Sequence, residues 1–236
     1  MAIVRVPINF DVEVRDVFTK AAALCLEVKQ RNEIYAGWSS LKAWRPEFEK
    51  NFGVLRAILS RSNSDDPPDL NFEFESASIS VEVTDIRPHP YGQAQAIHQR
   101  EMPNQCVAEP PVSIAYQNKE AIRQAMVSKL WVGEPVGDRR RHLVQAVTEQ
   151  VNKKAKGLTV ANVDLDVLVL YDRSLFNDFD RVALVGGLAT KRKNRMLQIP
   201  ERTFLLIHSE SNFLRFRSFL VNARGQALIR SKGYDK

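Results

Sequence analysis

The sequence predicts one α/β domain in which helices pack on a mixed β-sheet. The chain has 236 residues, of which 44% are hydrophobic, enough to bury a full core without division. Apolar residues follow helical spacing in long stretches, and they alternate with polar residues between Leu70 and Val83. Two short apolar runs, Asp166–Tyr171 and Phe204–Ile207, are typical of strands buried on both faces.

Two helices are predicted ahead of the sheet. Apolar residues recur at helical intervals over Val12–Tyr35, and Gly37 is expected to end this first helix. The proline that opens the stretch Pro46–Leu59 suits the first turn of a second helix. The polar stretch Ser60–Asp66 is then expected to be a loop.

A β-hairpin is predicted next, because Leu70–Phe74 and Ile79–Val83 both alternate around the polar turn Glu75–Ser78. Five prolines between Arg87 and Pro111 then indicate a surface excursion with at most a short helix near Gln93–Arg100.

A long helix is predicted between the hairpin and the two apolar strands. Asp138 is expected to be the N-cap of this helix, Lys156 to lie in its last turn, and Gly157 to end it. The predicted layout is a single domain over residues 1–236. Residues 1–45 are a helical extension, residues 46–172 the core motif region, and residues 86–136 an insertion.

Composition narrows the cellular setting. The chain has no run of about 18 apolar residues that could span a bilayer. It also lacks the basic-then-apolar start of a secretory signal. We therefore expect a cytoplasmic protein without a membrane partner. Cys25 and Cys106 are too few for a disulfide framework or a cysteine zinc site, and are expected to be free thiols.

Positive charge is concentrated in the second half of the chain. Lys and Arg exceed Asp and Glu by 34 to 28, and the net charge of +6 mildly favours polyanionic partners. Each basic cluster suits either a phosphate backbone or a solvated face. The clusters are Arg139, Arg140 and Arg141; Lys153, Lys154 and Lys156; and Lys191, Arg192 and Lys193 with Arg195. Three arginines in the first turn of a helix would oppose its dipole, and this placement favours an anionic partner.

Two acidic residues of the hairpin form a candidate metal site. Asp69 stands at the entrance of the first strand, and a tight return brings Glu82 of the second strand close to it. Alternation places Glu82 and Thr84 on the face opposite Val81 and Val83. Neighbouring carboxylates repel each other unless a hard cation such as Mg²⁺ lies between them. We therefore expect Asp69 and Glu82 to bind Mg²⁺ or Mn²⁺.

The segment PPDLNFEFESASISVEVTDIRP resembles the PD-(D/E)xK nuclease superfamily. SVEVTDIRP, VTEQVNKKAKG and DVLVLYD are similar to a bacterial branch with an EVTE strand, a lysine-bearing helix and a DxLLxxD strand. The resemblance covers Pro46 to Asp172. It implies a restriction endonuclease-like mixed sheet flanked by helices, Mg²⁺-dependent endonuclease or exonuclease activity, DNA in preference to RNA, and a role in defence. One departure is that Thr84 occupies the lysine position of the superfamily.

A lysine from another element could replace the missing one. Lys154 falls inside the apolar stripe of the helix Asp138–Lys156, so its ammonium is expected to reach Glu82 or Asp69, unless it extends past the stripe to solvent. Gln150, one turn earlier, could hydrogen-bond the nucleophilic water or a carboxylate. The resemblance also implies an acidic residue from the helix before the PD strand. Glu49 suits this role, or it is an ordinary exposed glutamate.

These observations favour a metal-dependent nuclease. The first alternative is a nuclease fold that binds nucleic acid or protein without catalysis, which the absence of a strand lysine allows. The second is an interaction protein in which Asp69 only caps a turn and Glu82 pairs with a surface arginine. A homodimer and a partner protein of a larger system are both compatible with the sequence.

Overall fold

The computed structural model describes residues 3–24, 26–61, 67–86, 96–102, 118–127, 136–161, 164–172, 181–199, 203–211, 215–221 and 227–233. Cys25, Cys106 and most of the proline-rich stretch after Arg87 lie outside these ranges.

The described elements occur in groups of helices and groups of strands along the chain. The helices are α1 (Val14–Ala23), α2 (Val28–Lys42), α3 (Arg45–Phe52), α4 (Lys119–Val127), α5 (Val136–Ala161) and α6 (Arg181–Lys193), with a short helical segment at 96–101. The strands are β1 (Ile3–Val6), β2 (Leu55–Arg61), β3 (Leu70–Phe74), β4 (Ser78–Asp85), β5 (Val167–Asp172), β6 (Phe204–Ser211), β7 (Arg215–Val221) and β8 (Ala227–Gly233). None of the described helices is long and apolar enough to cross a membrane.

The strands form one mixed sheet of eight, ordered from β1 to β8 as they occur in the chain. Strands β1 to β4 are successively antiparallel, β4, β5 and β6 are parallel, and β6 to β8 are again antiparallel. Helices lie between the parallel strands in the chain, because a parallel return requires a crossover. The predicted mixed α/β fold with helices flanking the sheet is confirmed.

One face of the sheet packs against α1, α2 and α3. Alternate residues of β3, β4 and β5 point toward these helices, so the core contains Leu70, Phe72, Ile79, Val81, Val167 and Val169 together with Ile34, Trp38 and Leu41 of α2. The other side chains of the same strands project from the opposite face. Glu82 is one of them.

The chain divides into two compact units. The first comprises Met1–Asp85, Val151–Asn177 and Gln198–Lys236, and contains the sheet and helices α1 to α3. The second comprises Ile86–Gln150 and Asp178–Leu197. It contains a small apolar cluster of Ile97, Ile122 and Met126. The region expected to be an insertion, residues 86–136, belongs to the second unit.

The predicted first helix is wrong at its end. The stretch Val12–Tyr35 is divided between α1 and α2, and Gly37 lies inside α2. The reason is packing, because α2 approaches β3 so closely that a Cβ at residue 37 would lie 2.9 Å from Cδ1 of Leu70. Glycine permits this close approach, and its lower helix propensity is offset by the surrounding core.

The predicted second helix is also too long. It ends at Phe52, where Gly53 adopts a positive φ of 80°, and the chain continues as β2. Strand β2 pairs with both β1 and β3, and this pairing overrides the helical spacing of Leu55 and Leu59. Ser60 and Arg61, which were expected in a loop, belong to β2. Strands β1, β7 and β8 were not predicted.

The hairpin β3–β4 and the strands β5 and β6 are confirmed, whereas the ends predicted for α5 are wrong. Helix α5 begins before Asp138 and continues through Gly157 to Ala161. Asp138 is therefore not an N-cap. Gly157 is exposed, and no atom lies within 4 Å of an ideal Cβ at this residue. A helical glycine costs about 1 kcal/mol relative to alanine, which the packed apolar stripe of α5 offsets.

A carboxylate and lysine cluster at the end of the sheet

The antiparallel register of β3 and β4 brings Asp69 and Glu82 together. Leu70 lies opposite Val81, so the residue before Leu70 adjoins the residue after Val81. The backbone N–H of Asp69 donates to Oε2 of Glu82 at 3.2 Å. In return, Oδ2 of Asp69 accepts from the backbone N–H of Val83 at 2.9 Å. These two hydrogen bonds hold both carboxylates at one end of the sheet.

Lys154 of α5 reaches this pair from the opposite face of the sheet to α2. Its ammonium donates a hydrogen bond to Oε1 of Glu82. Glu82 is buried, with a side chain 3% exposed, whereas the side chain of Lys154 remains 30% exposed. Val147, Val151 and Ala155 of the apolar stripe are buried, and Lys153 and Lys156 are exposed. The predicted inward direction of Lys154 is therefore confirmed.

A third carboxylate, Glu33 of α2, interacts electrostatically with Asp69, Glu82 and Lys154. Burial raises the pKa of Glu33 to about 7, and repulsion by Asp69 is the next largest cause. Glu82 raises this pKa further, whereas Lys29 and Lys154 lower it. We refer to Glu33, Asp69, Glu82 and Lys154 as the carboxylate–lysine cluster.

Sequence reasoning missed Glu33, although a signal was present. Glu33 stands one helical turn before Gly37 and two turns before Leu41, both of which are buried. It therefore borders the core-facing side of α2, as Lys154 does on α5. Because Gly37 was expected to end the helix, Glu33, Gly37 and Leu41 were not recognised as one side of a continuous helix.

The cluster carries more negative charge than its own cation neutralises. Burial raises the pKa of Glu82, repulsion by Asp69 raises it further, and the hydrogen bond from Lys154 opposes both. The ammonium of Lys154 binds Glu82 and that of Lys29 lies 3.8 Å from Glu33, so three carboxylates share two cations. Such an arrangement weakens the fold, and uncompensated charge of this kind is typical of sites that bind a ligand.

The donor set suits a hard divalent cation. Carboxylate oxygens are the ligands that Mg²⁺ prefers, and one or two of them suffice when water and substrate phosphate complete the shell. Asp69 and Glu82 keep acceptor capacity, because a carboxylate offers about four lone-pair sites. In the described part of the chain, no three Asp, Glu, His or Cys side chains form a complete metal cage. The residues therefore fit Mg²⁺ with an incomplete protein shell, and not a fully protein-coordinated ion.

Of the other residues predicted for the site, Glu49 forms an ion pair within its own helix. Glu49 of α3 pairs with Arg45, whose Nε donates to Glu49 Oε2 at 2.7 Å, and Arg45 also binds Asp11. Gln150 is half-buried one turn before Lys154 on α5, and its role stays a prediction. Thr84 is half-buried, two residues after Glu82 in β4.

The predicted phosphate-binding clusters lie on two helices. Arg139, Arg140 and Arg141 fall one turn after the start of α5, and their side chains are outside the described part of the structure. Lys191, Arg192 and Lys193 form the last turn of α6, where positive charge complements the helix dipole. Arg195 follows with a positive φ of 57°. The role of both clusters in binding nucleic acid stays a prediction.

The charge on Glu33 makes the free energy of unfolding depend on pH. The folded pKa of Glu33, about 7, exceeds the ordinary value of 4.5, so the folded state holds the proton on Glu33 more tightly than the unfolded state does. The stability that this protonation gives is fully present below pH 4.5 and is lost as the pH rises to 7. Without metal, Glu33→Gln should be more stable than wild type by about 1–3 kcal/mol at pH 8 and similar at pH 4.5.

Urea denaturation in EDTA at both pH values measures this difference. Glu13→Gln is the control, because it removes one charge from a side chain that is 67% exposed. Parallel stability profiles for Glu33→Gln and wild type would place Glu33 outside the cluster.

Comparison with protein-family models, with curated proteins and with solved structures finds no match to this chain.

Proposed function

We propose that this protein is a metal-dependent nuclease that hydrolyses phosphodiester bonds of nucleic acid, with a fold of the restriction endonuclease-like kind. The hydrogen bond from Lys154 to Glu82 carries the proposal. Through this bond, a lysine on a helix places its ammonium on the strand carboxylate that lies beside Asp69. The superfamily has a lysine on the strand itself, at the position that Thr84 occupies in this chain.

The residues of the cluster have separate roles in the proposed reaction. Mg²⁺ or Mn²⁺ bound to Asp69 and Glu82 would polarise a phosphate oxygen and lower the pKa of water. Lys154 is held by Glu82 on one side and remains partly exposed, so its ammonium can also face the substrate. There it can orient the attacking water or neutralise charge that develops on the phosphate. Glu33 adds negative charge that strengthens cation binding.

The basic clusters suit the nucleic-acid backbone, since arginine and lysine contacts to phosphates position a protein without reading sequence. We expect DNA in preference to RNA. A nuclease fold that binds nucleic acid without cleaving it is the second candidate. One observation favours it: Thr84 occupies the position at which the superfamily has its lysine.

A cleavage panel separates the two candidates. The wild-type protein is incubated with end-labelled and circular single- and double-stranded DNA and RNA, in Mg²⁺ or in EDTA. We expect cleavage in Mg²⁺ alone, with DNA as the better substrate, and cutting of circles would indicate an endonuclease. Salt-dependent binding without cleavage of any substrate would favour the binding module. Absence of both binding and cleavage would contradict the proposed function.

A further inference from the structure

We infer that Lys154 competes with the divalent cation for Glu82, and that its ammonium is released toward the substrate when the cation binds. This inference rests on the metal site of the proposed function. The ammonium of Lys154 donates a hydrogen bond to Oε1 of Glu82, so the carboxylate already binds a cation that belongs to the chain itself. A metal ion on the same carboxylate has to share it with this ammonium or displace it.

The hydrogen bonds of the two carboxylates show which donor can give way. Oε2 of Glu82 accepts from the backbone N–H of Asp69 at 3.2 Å, and Oδ2 of Asp69 accepts from the backbone N–H of Val83 at 2.9 Å. Both donors are backbone groups at the end of the β3–β4 hairpin, so its pairing fixes them. Among the residues that the structure describes, none donates to Oδ1 of Asp69. Lys154 is thus the one donor on a flexible side chain.

Sharing is unfavourable because Glu82 is buried. Its side chain is 3% exposed, and two positive charges on one carboxylate repel strongly where little water screens them. The side chain of Lys154 is 30% exposed, so its ammonium can turn to solvent. Within the described ranges, Glu82 is also its one hydrogen-bond partner. The ammonium is therefore the group that moves when a second cation binds.

Competition gives Lys154 two roles in succession. Without a metal, its ammonium is the counter-ion of the buried Glu82, whose charge beside Asp69 would otherwise weaken the fold. When a divalent cation neutralises the two carboxylates, this counter-ion is no longer needed, and the ammonium is available to a phosphate of the substrate. Metal binding should therefore favour phosphate binding at Lys154, and a bound phosphate should favour the metal to the same extent.

The test compares the Mg²⁺ affinity of wild type, Lys154→Met and Lys153→Met, measured by isothermal titration calorimetry without nucleic acid. Lys154→Met should bind Mg²⁺ about 5- to 100-fold more tightly than wild type, the usual range for coupling between two sites. Its cleavage should nevertheless fall, so affinity and activity change in opposite directions. Lys153 is exposed, and Lys153→Met should change the affinity by no more than about twofold. Lys154→Arg, which keeps the charge, should stay close to wild type.

A second measurement uses the wild-type protein and so does not depend on the folding of a variant. Lysine amines are acetylated briefly with and without Mg²⁺, and each site is quantified by mass spectrometry. Labelling of Lys154 should rise several-fold in Mg²⁺, because the ammonium has left Glu82, whereas labelling of Lys153 should stay unchanged. Equal labelling of Lys154 in both conditions would contradict its release.

The outcomes separate this inference from the proposed function. If wild type cleaves DNA in Mg²⁺ but Lys154→Met binds the ion no more tightly, the competition is contradicted and the proposed function stands. If Lys154→Met binds Mg²⁺ more tightly while wild type cleaves no substrate, the competition stands and catalysis is contradicted. Failure of both wild type and Lys154→Met to bind Mg²⁺ overturns the two together.

Discussion

Replacing Lys154 with methionine should reduce Mg²⁺-dependent phosphodiester cleavage by about 10²- to 10³-fold, the usual effect of removing a group that stabilises transition-state charge. Methionine keeps much of the length and the apolar stem of lysine but removes the ammonium that binds Glu82. Since Thr84 cannot supply a cation, no charge on the strand replaces it. Both kcat and kcat/KM should fall, because the interaction is made with the reacting phosphate or its nucleophile.

Lys153→Met is the matched control for this result. Lys153 neighbours Lys154 on the same helix but is exposed, so its loss should change cleavage by no more than about twofold and weaken binding slightly. Lys154→Arg should retain part of the activity. Circular dichroism melting of each variant checks that the fold persists. Equal cleavage by Lys154→Met and Lys153→Met would show that Lys154 only neutralises Glu82 and takes no part in catalysis.

Mg²⁺ should raise the melting temperature of wild type by about 5–10 °C when its concentration is about 100 times the dissociation constant. A ligand that binds only the folded state contributes about 2.7 kcal/mol at that ratio. For a domain of about 150–250 residues, 1 kcal/mol shifts the melting temperature by about 2–4 °C. Asp69→Ala and Glu82→Ala should each abolish the shift and the cleavage, because each removes one of the two carboxylates expected to hold the ion.

The shift must be compared with and without Mg²⁺ in the same variant, because removing one of three repelling carboxylates also changes the metal-free stability. Glu49→Ala serves as the control, since Glu49 pairs with Arg45 on α3. It should keep the full Mg²⁺ response. A Mg²⁺-dependent melting shift that survives in both Asp69→Ala and Glu82→Ala would show that these residues do not bind the metal. That result would not bear on the fold. Mn²⁺ should give the same pattern, whereas EDTA should return wild type to its metal-free melting temperature.

Local periodicity was sufficient to predict the parts of the site that lie on regular elements. Alternation in β3 and β4 placed Asp69 beside Glu82 and turned Glu82 away from the α2 side of the sheet, because strand side chains alternate between the two faces. The position of Lys154 within an apolar helical stripe predicted its inward direction in the same way, since an ammonium on a buried face needs a counter-charge. The first inference needs only one hairpin and the second only one helix, so both depend on local geometry.

Tertiary packing decided the position of Glu33 and the conformation of Leu55–Arg61. Glu33 joins the cluster because α2 crosses β3 at the close approach that Gly37 permits, and no local pattern specifies which helix face meets which strand. The stretch Leu55–Arg61 became β2 because β1 and β3 lie on either side of it, and the hydrogen bonds of two neighbouring strands outweigh a helical spacing of leucines. The excess negative charge of the cluster is likewise a property of three elements together, since each carboxylate is unremarkable in its own segment. The sequence by itself thus determined which residues share a face of one element, while only the tertiary structure decided which elements meet.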